Sequence, residues 1–233
     1  MVLFLIFAGE IFYIVYFFSY FQIKEISVSG NAKVKTETIE SFIEKGSIFL
    51  VDSKKITGNI LSSFPQIAEA KIDRKFPDKL NLTITEREAV ANFCLEECFL
   101  IDKTGVIFAP VRNDISNGVR ESDLLKIQKI DDEQLELGSK VLEEEMVNLI
   151  LDIESRMKND LKIAINEVLV VSEDRLDIKT AEGWVFYFNT KNDLAWQMTK
   201  LKAVLDEEIP PDRRKNLEYI DLRFGNLAPY KYK

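Results

Sequence analysis

Residues 68–87 read AEAKIDRKFPDKLNLTITER. Ala68, Ala70 and Ile72 alternate with charged residues, Phe76-Pro77-Asp78 makes a turn, and Leu80, Leu82 and Ile84 alternate again, which predicts a β-hairpin ending at Glu86-Arg87. Upstream, Ile56, Ile60, Leu61 and Phe64 fall along one side of a helix with Asp52 or Ser53 as N-cap and Pro65 as its stop. A short extended piece, Ser47 to Val51, leads into it. Further back, Lys35 to Lys45 carries Ile39, Phe42 and Ile43 at helical spacing, and Ile23, Ile26 and Val28 form a strand that closes at Gly30-Asn31. The unit is β-α-α-β-β, over residues 22–88.

Downstream the pattern changes. Ala89 to Cys94, Cys98 to Asp102 and Val106 to Pro110 read as strands, with Lys103-Thr104-Gly105 as a turn. Arg112 to Ser122 reads as a surface loop, and Leu124 to Ile130 is a short apolar piece. Leu142, Met146, Leu149, Ile150, Ile153 and Met157 mark a helix whose first turns hold Glu143, Glu144 and Glu145. Ile163 to Val171, Arg175 to Thr180 and Trp184 to Phe188 predict three consecutive antiparallel strands. Leu194, Met198, Leu201 and Leu205 predict a last helix stopped by Pro210-Pro211, before closing strands over Leu217 to Phe224 and Leu227 to Lys233. The fold class is α+β, with a mixed β-rich domain and flanking helices over residues 89–233.

The start of the chain is different again. Residues 1–21 carry one charge, Glu10, among Phe, Ile, Leu, Val and Tyr, and about 20 such residues span a bilayer as a helix, so one transmembrane helix is expected. A basic n-region and a small-x-small cleavage site are both missing, which favours an uncleaved anchor over a signal peptide. Lys24, Lys33 and Lys35 follow the helix and no Lys or Arg precedes it, which on charge alone places the body in the cytoplasm. Gly9 and Glu10 are candidates for a helix contact within the bilayer, since glycine permits close approach and a buried carboxyl wants a partner.

Composition narrows the chemistry. The 233 residues include no histidine, two cysteines and nine well-separated glycines, with a net charge of −8. Without histidine there is no Ser-His-Asp or Cys-His arrangement, and without clustered glycines no phosphate-binding nest. A negative chain has little hold on phosphate backbones, so nucleic acid is not an expected partner. Ser155-Arg156-Met157-Lys158 and Lys103-Thr104-Gly105 match two parts of a serine acyl-transferase set, but in reversed order and without the third. Asp131-Asp132-Glu133 and Glu143-Glu144-Glu145 lack the spacing of a calcium loop. No catalytic residue, metal or cofactor is assigned. Cys94 and Cys98 flank Leu95-Glu96-Glu97, and a hairpin there brings them within disulfide range; a bridge and two reduced thiols both remain open readings.

Ile26-x-Val28-x-Gly30-Asn31, Phe49 before Asp52, Phe64-Pro65, Ala70-x-Ile72-x-Arg74-x-Phe76-Pro77 and Thr85-Glu86-Arg87-Glu88-Ala89-Val90-Ala91 together resemble a POTRA module of the FtsQ/DivIB cell-division family. Leu100-Ile101-Asp102-x-x-Gly105-Val106-Ile107-Phe108 and Tyr219-Ile220-Asp221-Leu222-Arg223-Phe224 resemble that family's later hairpin and carboxy-terminal strand. The resemblance implies a non-enzymatic, single-pass protein of the bacterial cytoplasmic membrane at the division septum. Its N-terminus would be cytoplasmic and its bulk extracytoplasmic. The implied partners are FtsB/DivIC and FtsL type proteins, other divisome membrane proteins and the lipid bilayer. Arg223 and Phe224 match the family's partner-binding positions, and Tyr219, Leu227, Tyr230 and Tyr232 complete the expected set. A terminal edge strand offers unpaired N–H and C=O groups to an incoming strand, and these residue types anchor interfaces. Arg74 and Arg87 are read as paired surface charge before a second partner surface. The alternative reading is a membrane-anchored extracytoplasmic sensor or a POTRA-type secretion or assembly protein.

Overall fold

Apolar residues at the amino terminus form a helix, α1 (Val2–Phe17), followed by a 3-10 turn at Ser19–Phe21. The computed structural model describes residues 2–17, 19–112, 115–116, 119–130 and 135–233, and two compact units emerge, Met1–Arg87 and Glu88–Lys233. The crossing expected over residues 1–21 is not what is seen: no helix among the described residues is long and apolar enough to cross a membrane. The 16 residues of α1 reach about 24 Å at 1.5 Å each, short of a hydrocarbon core of about 30 Å. Its side chains from Phe4 to Ile14 are exposed.

The rest of the first unit follows the predicted order. It comprises β1 (Glu25–Ser29), α2 (Thr36–Glu40), a 3-10 turn at Ile48–Leu50, α3 (Ser53–Ser63), β2 (Ile67–Lys75) and β3 (Lys79–Glu86). The central strand is β3, parallel to β1 and antiparallel to β2. Its Leu80, Leu82 and Ile84 are buried against Ile39, Ile43, Ile48 and Ile60, as their alternation requires. Asp52 is the N-cap of α3, accepting from the Lys55 N–H at 3.0 Å.

Local chemistry accounts for the departures. α2 is shorter than Lys35 to Lys45 because the Ser41 hydroxyl bonds the Thr38 carbonyl and the chain tightens into i+3 turns, which still bury Ile43. The extended piece at Ser47 to Val51 is the 3-10 turn, with Ile48 buried. Leu61 is exposed, one residue and so about 100° round α3 from buried Ile60. In β2 the inward position is Ile67, not Ala68, because a bulge between Ile67 and Glu69 shifts the alternation.

The second unit contains β4 (Ala91–Cys94), β5 (Cys98–Ile101), β6 (Ile107–Pro110), β7 (Ile115–Ser116), β8 (Val119–Arg120), β9 (Lys126–Lys129) and α4 (Glu144–Asn159). β10 (Ile165–Ser172), β11 (Arg175–Thr180), β12 (Val185–Asn189), α5 (Leu194–Glu207), α6 (Pro211–Arg214), β13 (Leu217–Asp221) and β14 (Tyr230–Tyr232) complete it. Its main sheet runs β14-β13-β12-β11-β10-β9-β4-β5-β6. The antiparallel run β10-β11-β12 is present, while β9 lies parallel to both β4 and β10, and β13 parallel to β12. One face buries Leu176, Ile178, Phe186, Phe188 and Ile220 with Val147, Ile150 and Ile153 of α4 and Leu201 and Leu205 of α5. α5 ends at Glu207, ahead of Pro210-Pro211, and Pro211 opens α6, since a first-turn proline needs no N–H partner.

Within the expected loop at Arg112 to Ser122, β7 and β8 pair as a short ladder, and residues 113–114 and 117–118 lie outside the described residues. So does Asp131-Asp132-Glu133. Lys103-Thr104-Gly105 is the β5–β6 turn: the Asp102 carboxylate accepts from the Thr104 N–H, the Thr104 hydroxyl and the Val106 N–H at 2.7–3.1 Å. Gly105 has φ +84°, and a Cβ there would lie 1.8 Å from the Leu142 carbonyl oxygen. Cys94 and Cys98, register partners in β4 and β5, are joined by a disulfide.

Candidate functional site

β14 forms one edge of the main sheet and pairs only with β13 among the described strands. Besides the Lys231–Tyr219 pair of the ladder, the flanking Pro229 carbonyl accepts from the Asp221 N–H at 2.8 Å and the Lys233 N–H donates to the Asn216 carbonyl at 2.8 Å. Alternation along an antiparallel strand then turns the backbone of Tyr230 and Tyr232 to the open side. Pro229 stands just before β14, a strand start where proline is tolerated.

The expected partner residues fall into three groups. Phe224 and Leu227, in the connection between β13 and β14, are 55% and 71% exposed. Tyr230 and Tyr232 are half-buried and pack against the core. They lie opposite Ile220 and Leu217, a bulge between Leu217 and Tyr219 putting Leu217 and not Glu218 across from Tyr232. Tyr219 instead points to the other sheet face, where its ring lies 5.4 Å from that of Tyr187. The structure therefore does not gather all six side chains on one surface.

Arg223 belongs to that second face. Its Nε and Nη2 donate to the two oxygens of buried Asp221 at 2.9 and 2.6 Å, and its guanidinium stacks 5.2 Å from the Tyr187 ring centre. Arg175 repeats the motif, bidentate to Asp177 and 5.0 Å from the same ring. Burial pushes the Asp221 carboxyl up, but the Arg223 side chain and N–H outweigh it, and the group ends below the usual aspartate range.

Sequence reasoning missed the residue that holds this edge. Lys200 of α5 is 6% exposed, and its Nζ lies 2.6, 2.9 and 3.2 Å from the carbonyl oxygens of Leu222, Phe224 and Leu227. Desolvation pushes its ammonium below the ordinary lysine value, against the pull of Asp221. Beside it Trp196 Nε1 donates to the Gly225 carbonyl at 3.2 Å, and buried Gln197 clasps the backbone of Asn189 with both ends of its amide. The available signal was polar Gln197 and Lys200, three apart and each one residue before the apolar stripe at Met198 and Leu201.

The other expected residues are more local. Gly9 and Glu10 sit on exposed α1 beside Ile6, Tyr13 and Ile14, and a Cβ at Gly9 would meet nothing within 4 Å. Arg74 Nη2 donates to the Val51 carbonyl at 2.7 Å and Arg87 Nε to the Pro65 carbonyl at 3.0 Å, so both brace backbone within the first unit. Glu86 accepts from the N–H groups of Ala32, Lys33 and Val34 at 2.8–3.0 Å, fixing the turn that Gly30 opens.

A β-α-α-β-β domain followed by a mixed-sheet domain with a free terminal edge defines a POTRA-containing class of α+β protein. Residues 21–87 match the family model for the POTRA domain, FtsQ-type, and residues 92–223 that for cell division protein FtsQ/DivIB, C-terminal. The chain belongs to the FtsQ/DivIB family of cell division proteins. It is 29% identical to cell division protein DivIB of Clostridium botulinum (strain Hall) over 218 residues, covering 91% of this chain and 82% of that protein. With DivIB of Clostridium acetobutylicum it shares 32% over 152 residues, 62% of this chain and 58% of the relative. With cell division protein FtsQ of Geobacter sp. (strain M21) it shares 26% over 214 residues, 88% and 74% of the two chains.

Proposed function

We propose that this division protein is a non-enzymatic scaffold of the septum that binds FtsB/DivIC and FtsL type proteins by taking up a partner strand along β14. The observation that carries the reading is the open backbone of Tyr230 and Tyr232 beside exposed Phe224 and Leu227. Main-chain bonds supply affinity in such pairing, and the two apolar side chains give a partner segment something to bury. The exposed apolar surface of α1 suits a bilayer, and the extracytoplasmic placement of the two domains follows the family resemblance, against the charge bias of Lys24, Lys33 and Lys35. A sensor reading would need an apolar pocket with convergent polar groups, and the structure offers more support for an edge.

The test is a titration of the full chain in detergent with the extracytoplasmic FtsB/FtsL-type pair of the same cell. Phe224→Ala with Leu227→Ala should weaken saturable binding by about 2 kcal/mol or more while circular dichroism stays unchanged. Tyr230 is unsuited to this test, because it packs against the core. Binding that survives the double change would remove the edge from consideration.

A further inference from the structure

The connection from Leu222 to Leu227 is held from α5 and the loop before it. The Lys200 ammonium has three N–H donors and three carbonyl oxygens around it, those of Leu222, Phe224 and Leu227. The Trp196 indole takes the Gly225 carbonyl, and Asn192 Nδ2 lies 3.5 Å from that of Arg223. With these carbonyls drawn toward α5, the side chains of Phe224 and Leu227 are left facing out. An ammonium is a costly way to fill buried space, since methionine of similar length would fill it without desolvating a charge. What an ammonium does and methionine cannot is fix three backbone groups at once.

We propose that Lys200 is a positioning residue for partner binding: its three hydrogen bonds hold residues 222–227 in the one geometry that presents Phe224, Leu227 and the β14 edge to an extended polypeptide segment with apolar side chains. The inference rests on reading that edge as a docking site. A segment already ordered in the free protein pays little further ordering cost on binding, and loosening it lowers apparent affinity by the fraction of time it is competent.

The experiment compares hydrogen exchange of the full chain, unaltered and as Lys200→Met and Lys200→Arg, with titration of each by the same partner pair. Lys200→Met should speed exchange of the amides of residues 223–232 by about tenfold or more while β10, β11 and β12 keep their protection. It should also weaken binding by about tenfold, chiefly through slower association, with Lys200→Arg intermediate because it keeps the charge but not the three-way geometry. If Lys200→Met does not fold, Lys200→Gln carries the same comparison. Unchanged exchange at 223–232, uniform loosening of the whole second unit, or unchanged affinity in a loosened variant would each overturn the proposal. Failure of the unaltered protein to bind the pair would count against the docking reading, and the exchange arm would still decide whether Lys200 orders the edge.

Discussion

In residues 1–87 a turn is tied down by an anion, and in residues 88–233 a strand connection is tied down by a cation. Glu86 reaches across 52 to 54 positions to collect the N–H groups of Ala32, Lys33 and Val34, while Lys200 reaches across 22 to 27 to collect the carbonyls of Leu222, Phe224 and Leu227. Each satisfies three main-chain groups that neither helix nor sheet could pair. They differ in depth, because Glu86 is half-buried and Lys200 is nearly enclosed. The anion secures an internal turn of its domain; the cation secures a segment whose own side chains stay exposed. Charge on main chain can therefore build a fold or display a surface, depending on which way the side chains of the tied segment point.

Both tryptophans, Trp184 and Trp196, lie in the second unit, so their fluorescence follows that unit alone while circular dichroism follows both. The largest break in the comparison should come from Gly30→Ala. At φ +83° its Cβ would stand 2.1 Å from the Ile84 carbonyl oxygen, just before the turn that Glu86 holds. A loss of about 3 kcal/mol is expected in the dichroism transition with the fluorescence transition unmoved. A common shift of both signals would show that the two units unfold together.

Glu86→Ala comes next. It leaves three N–H groups without their carboxylate and should cost the first unit about 2 kcal/mol, with Glu86→Gln recovering about half because its carbonyl still accepts. Equal losses for the two variants in urea titrations would mean that the carboxylate's hydrogen bonds are not what holds the turn.

The smallest effect sharpens the second region. Asp221→Asn should cost about 1 kcal/mol at neutral pH, read by tryptophan fluorescence. The folded Asp221 carboxyl sits below the ordinary aspartate value of about 3.9, so its contribution is complete above that value and is lost as pH falls through the folded one. Urea midpoints of the unaltered protein should thus fall more steeply below about pH 4 than those of Asp221→Asn. Parallel acid limbs would discard the Asp221–Arg223 pair as the cause.

Much of the site lay outside what a linear reading can see. The position of β14 at the end of the chain suggested an edge, and Pro229 agreed with it. Tyr230, however, faces the core because it stands opposite buried Ile220, a register fixed by pairing with β13, and a shift of one residue exchanges the two faces of a strand. Lys200 lay on a helix flank, where lysine is usually solvated, and its partners are carbonyls that every residue possesses. Likewise β9 sits between β4 and β10 through parallel pairing, whose partners are joined by long connections and leave no local signature.

By itself the sequence determined most of the order of elements, the alternating core of β3, a cap at Asp52 or Ser53 and the turn at Lys103-Thr104-Gly105, because each depends on neighbours a few residues apart. Only the tertiary structure decided how far α1 extends, which faces the carboxy-terminal aromatics take, and that Glu86 and Lys200 anchor distant backbone. Those outcomes depend on groups brought together across tens of residues, and on main-chain donors and acceptors that carry no mark in the sequence.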